Sequence, residues 1–292
     1  MATNTNGGTT ASLSNTPQAQ GDTFYKDENL TGIALLDVMS NDLAGKAKIL
    51  WSLDDSATDL AGATDLITTD VGKIESTTAD TSANGAKIWI QDGKVAYQSD
   101  TLSAAFKASL QALAVGETAT DTFTYAIRMS NGTLSWATAT VVYTGANDVP
   151  VAQDDSASGN EDTLITGNVG DNDDDVDNGA VLTFTVNGTA PAGFTMGLDG
   201  AWQLDATHID YQHIAQGAYE DVVVSYTVTD EHGATDTATL TIRVYGANDN
   251  ASIVIDANVT DDRATVEAGG AANATPGDPS ASGKLTVSDV DD

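Results

Sequence analysis

Apolar and polar residues alternate along much of this chain. From Thr237 to Tyr245, Ala238, Leu240, Ile242 and Val244 are separated by Thr239, Thr241 and Arg243, the period-two pattern of a strand with one buried face. The run DVVVSYTVTD just before it is rich in β-branched residues, and EHGA between the two supplies a Gly-containing turn. Together they predict a β-hairpin. Only residues 109–117, with Leu110 and Leu113, have the look of a short helix, so the expected class is all-β.

The pattern also repeats over a long period. Tyr125 to Asp148 overlays without gaps on Tyr226 to Asp249, matching Gly132 with Gly233 and GAND at 145–148 with GAND at 246–249. Upstream, Asp92-Gly93 corresponds to Asp199-Gly200, and Asn41-Asp42 to Asn172-Asp173. A period of this size denotes a domain array, because solenoid repeats run to roughly 20–50 residues. Pro150 after the first GAND restricts its neighbour to extended backbone and places the boundary there. The expected organisation is a flexible leader over 1–20, one module over 21–148, a second over 149–249, and the start of a third over 250–292. Each full module is read as an antiparallel β-sandwich of about seven strands, immunoglobulin- or cadherin-like in plan. In the last segment ASIVI and GKLTV are strand candidates separated by a Gly-, Ala- and Pro-rich stretch, too little to close a sandwich. The chain therefore reads as part of something longer.

Charge narrows the function. Asp and Glu number 43 against 11 Lys and Arg, a formal net charge of -32. Nucleic acid is excluded as a partner, since phosphate recognition needs clustered Lys and Arg. Glu occurs only at 28, 75, 117, 161, 220, 231 and 267, and every other acid is Asp. Short carboxylates suit turns and oxygen-donor cation sites, so divalent cations are the expected partners. There is no Cys, which removes disulfides and thiolate metal sites. No stretch of 18 apolar residues predicts a membrane span, and the N-terminus lacks the basic start and apolar run of a Sec signal.

Several motifs in order resemble a known family. LTVSDVD, DGAW, ETATDTFTY and GAND are similar to the VCBS and cadherin-like repeats of large secreted bacterial adhesins, and EDTLITGNVGDNDDDVDNGAVLTFTV resembles the opening of the cadherin-like unit. The resemblance implies extracellular repeats on a cell surface or in a biofilm, stiffened by calcium and exported by type I secretion. The RTX nonapeptide GGxGxD is absent, so export and anchoring are not assigned to this stretch.

Two candidate calcium sites follow. The first is the run DNDDDVDNG, with Asp171, Asp173, Asp175 and Asp177 at alternating positions. Calcium takes six to eight oxygens, which such a loop can supply, although Val176 stands where an EF-hand loop requires Gly. The second is implied by the cadherin-like resemblance: linker residues Asn147 and Asp148, the early Glu161, and Asp230 and Glu231 at the hairpin tip, repeated at the next boundary by Asn248, Asp249 and Glu267. In the first module Met129 and Ser130 occupy the positions of Asp230 and Glu231, so a weaker site is expected there.

Catalysis has little to build on. No triad, GxSxG elbow or phosphate loop is present among three His and no Cys, and the chain is read as a non-enzyme. Trp89 and Trp202 lie beside the Asp-Gly turns and are expected in the cores. Three roles remain open: a calcium-rigidified spacer, a self-assembling subunit whose C-terminal strands complete a neighbouring chain, and a module binding host or biofilm glycans or proteins.

Overall fold

The structure, a computed structural model, describes residues 3–4, 11–12, 18–43, 48–54, 66–72, 79–255, 285–289 and 291. It is all-β and divides into two compact units, one formed by 1–148 with 176–180 and the other by 149–175 with 181–292. Within the leader, β1 (Thr3–Asn4) pairs with β2 (Ala11–Ser12); the rest of residues 1–17 lies outside the described residues.

Unit 1 is a sandwich of two four-stranded sheets. One sheet has the order β3 (Asp22–Asp27), β10 (Leu134–Thr144), β9 (Thr118–Arg128), β5 (Ile49–Asp54). The other has the order β4 (Ile33–Leu36), β8 (Lys94–Gln98), β7 (Lys87–Gln91), β6 (Asp80–Thr81). Asp92 and Gly93 join β7 to β8 with φ of 52° and 74°, the left-handed pair that a two-residue hairpin requires. Helix α1 spans Ala104–Gln111, five residues earlier than the pattern indicated. Ser103 caps it by accepting from the Phe106 amide, and the turn ending at Gly116 (φ 89°) closes the stretch that follows.

Unit 2 repeats the plan in a sandwich of seven strands. One sheet has the order β11 (Asp155–Asn160), β17 (Thr235–Tyr245), β16 (Tyr219–Thr229), β13 (Thr183–Val186). The other has the order β12 (Leu164–Asn168), β15 (Ala201–Asp205), β14 (Phe194–Met196). Turns at 206–213 stand where unit 1 has α1. The β16–β17 hairpin turns at 230–234, where the Asp230 carboxylate accepts from the His232 and Ala234 amides. The sandwiches are not wholly antiparallel. In each sandwich the first strand pairs parallel with the last, β3 with β10 and β11 with β17.

Alternation fills the cores. Val222, Val224, Tyr226 and Val228 of β16 meet Leu240, Ile242 and Val244 of β17 under Phe184 and Trp202. In unit 1 Phe123, Tyr125 and Ile127 pack with Val141, Tyr143, Ile88 and Tyr97. Trp89 and Trp202 are buried, whereas Trp136 on the outer face of β10 is 61% exposed. The two strand candidates of the last segment pair with each other, β18 (Ser252–Ile255) antiparallel to β19 (Leu285–Ser288).

Candidate metal centre

Each GAND linker is drawn tightly against its own unit. The Gly246 amide donates to the Ala218 carbonyl, and a Cβ at Gly246 would lie 2.0 Å from the Ile214 carbonyl oxygen. Gly145 matches it, donating to Glu117, with a Cβ 2.3 Å from the Leu113 oxygen. Only glycine fits such an approach. It places the next amide, Ala247 or Ala146, against the glutamate that follows the unit's first strand.

In unit 2 that glutamate is Glu161. Its amide donates to the Tyr245 carbonyl, and its fully buried carboxylate accepts at Oε1 from the Ala247 amide at 2.5 Å. Asp291 is held from the other side, accepting at Oδ2 from the Asp249 amide at 2.9 Å. Glu161, Asp249 and Asp291 thus present carboxylate oxygens within 4.8 Å of one another, the one such trio of acidic, His or Cys side chains among the described residues. Glu161 Oε2, Asp249 Oδ2 and Asp291 Oδ1 are buried atoms that no hydrogen bond satisfies. Buried charges of one sign are normally paired or bound to a metal. Burial raises the Glu161 carboxyl above its ordinary value, the Ala247 amide opposes the rise and the Asp249 charge adds to it. Asp249 is raised too, by desolvation and then by the Asp291 charge.

The donor set fits calcium. All the donors are hard oxygens, and two oxygens on one calcium at 2.3–2.6 Å are at most about 5.2 Å apart.

Unit 1 carries the same frame. Glu28 donates its amide to the Thr144 carbonyl and accepts at Oε1 from the Ala146 amide, and the Asp148 amide donates to Asp177 Oδ2 at 3.0 Å. Glu28 Oε2 is buried without a partner, and burial followed by the Asp148 and Asp177 charges raises this carboxyl.

The acidic run therefore does not close around one centre. Asp171 is exposed, Asp175 is half-buried, and Asp177 reaches the Asp148 amide. Asp173 accepts from the Gln153 amide and from the Tyr226 hydroxyl. Asn147 and Asn248 donate their side-chain amides to the Asp148 and Asp249 carbonyls. Asp230 serves the hairpin turn, and Glu231 accepts from the Val181 amide. Glu267 lies outside the described residues. Glu28 and Asp291 were not singled out from sequence. The signals were present: Asp22 to Glu28 and Asp155 to Glu161 share one spacing, and DVD occurs at both 175–177 and 289–291.

Residues 147–246 match the family of bacterial cadherin-like domains. No curated protein matches the chain. Among solved structures, the chain is similar to human mucin-like protocadherin EC1-2 at 16% identity and a TM-score of 0.45, covering 80% of this chain and 100% of that one. It is also similar to mouse cadherin-23 EC22-24 at 16% identity and a TM-score of 0.44, covering 80% of this chain and 65% of that one. Among the described residues no helix is long and apolar enough to cross a membrane.

Proposed function

We propose that this chain is an extracellular structural and adhesive repeat region whose modules are held in line by calcium, of the kind found in large bacterial surface adhesins. The observation that carries the reading is the trio Glu161, Asp249 and Asp291, three carboxylates gathered in one small volume, each with a buried oxygen that accepts no hydrogen bond. The ion supplies the positive charge that these carboxylates otherwise lack. The protein's share is orientation. Ala247 and Asp249 pin one oxygen each of Glu161 and Asp291, leaving the second oxygen of each buried without a hydrogen bond. Glu28, Asp148 and Asp177 repeat the device for unit 1. Each set draws a glutamate from the start of one module, an aspartate from the linker, and an aspartate from the DVD of the sequence that follows. An ion on all three would cross-link three segments far apart in sequence.

The test is metal content by mass spectrometry together with melting temperature in calcium and in excess chelator. Bound calcium and a chelator-sensitive transition are expected. An identical melt in both conditions would refute the reading.

A second reading, self-assembly through the last strand pair, is favoured by the exposure of Ile253, Val254 and Val287. Exposed β edges of this kind seek partners. A strictly monomeric mass at high concentration in calcium would eliminate it.

A further inference from the structure

The buried hydroxyl of Tyr125 in unit 1 has more acceptors than it can serve. It lies 2.7 Å from the Gln20 carbonyl oxygen, 2.9 Å from Asp22 Oδ2 and 3.0 Å from Asp42 Oδ1. One phenolic proton satisfies one of these. Two ionised carboxylates on the same oxygen would repel each other in a site shielded from water. Asp42 is 6% exposed, and its Oδ2 has no partner at all. A tyrosinate is no remedy, because burial first and then the hydrogen bond and charge of Asp22 hold the phenol far above its ordinary value. The missing element is a second proton.

The arrangement recurs in unit 2, where the Tyr226 hydroxyl lies 2.9 Å from the Gln153 carbonyl oxygen, 2.8 Å from Asp155 and 3.0 Å from Asp173. In both units the glutamine side chain donates to the residue before the second aspartate, Asn41 or Asn172. The cluster ties the start of the first strand and the loop that carries Asn41 or Asn172 to the middle of the central strand.

We propose that this cluster is a proton-requiring latch in which Asp22 is protonated when β3 is seated, so that the first strand is held most firmly in mildly acidic solution and loosens as pH rises. The titratable and charged groups around Asp22 are Tyr125 on β9, Asp37 and Asp42 on the loop after β4, and Lys48, whose Nζ donates to the Met39 and Asp42 carbonyls. Burial, opposed by the Tyr125 hydrogen bond and aided by the Asp42 and Asp37 charges, pushes the Asp22 carboxyl up to about 6. The folded state then binds more protons than the unfolded state between about pH 4 and 6. The stabilisation is complete below pH 4 and is lost as pH rises through 6. None of these groups is a ligand of the candidate metal centres.

The experiment is a carboxyl carbon NMR titration of the full wild-type chain, with Asp22 assigned through its own side-chain correlations. A midpoint near 6 is expected. Asp22→Asn, which imitates the protonated acid, is expected to melt with the wild type at pH 4.5 and about 3 °C above it at pH 7.5. A midpoint near 4, or a folded variant whose stability follows that of the wild type between pH 4.5 and 7.5, overturns the latch. Because the titration needs no variant, the result stands even if Asp22→Asn folds poorly.

Discussion

Glu161→Gln should change sign with the metal. With calcium removed, Glu161 is a buried negative charge whose carboxylate lies within 4.8 Å of those of Asp249 and Asp291. Coulomb repulsion between unit charges at that separation is about 1 kcal/mol in bulk water and about 3.5 kcal/mol at an effective dielectric constant of 20. Glutamine keeps an oxygen to accept the Ala247 amide, so the linker contact survives while the repulsion falls. The chelated variant should be more stable than wild type by about 1–3 kcal/mol, which is about 4 °C or more in a unit of this size. In calcium the order reverses. Wild type gains about 2.7 kcal/mol at a hundredfold excess over Kd, and a variant short of one charged ligand gains less. Differential scanning calorimetry of both proteins, in calcium and in chelator, reads all four values. A variant that melts below wild type in chelator and equals it in calcium would show Glu161 to be a structural hydrogen-bond acceptor with no part in metal binding.

The remaining expectations are direct. Gly246→Ala should destabilise unit 2 by about 1–3 kcal/mol in urea unfolding, because its Cβ would sit 2.0 Å from the Ile214 carbonyl oxygen, and should weaken calcium binding by displacing the Ala247 amide. Tyr97→Phe should cost about 2 kcal/mol, since buried Asp121 Oδ2 accepts from the Tyr97 hydroxyl at 2.6 Å and would lose that donor. Leu240→Ala, at a position 1% exposed, should cost about 2–5 kcal/mol in the same assay. Calcium should bind more tightly at pH 7.5 than at pH 5.5 by titration calorimetry. Burial raises the Glu28 and Glu161 carboxyls, so protons compete with calcium for them more effectively as pH falls.

Much of the fold was legible locally. Period-two alternation assigns each residue of a strand to a face regardless of what lies opposite, which is why β16, β17 and their hairpin follow from Val222 to Val244 alone. The Asp-Gly turns and the glycine of each linker are legible for a similar reason, since they answer a demand of the nearby backbone. The candidate metal centre was half legible. Asp148, Asp177, Glu161 and Asp249 were named as ligands, yet alternation along DNDDDVDNG suggested one site where the structure makes separate uses of Asp173 and Asp177. Folding decided that division, because closure of the sandwich brings Tyr226 to Asp173 from 53 residues away and the pairing of β18 with β19 brings Asp291 to the Asp249 amide from 42 residues away. Neither distance leaves a periodic trace in the chain. Closure also set the parallel pairing of first and last strands and left Trp136 on an open face. Convergence of charge is a property of the packed sheets, and only their packing could select which oxygens meet.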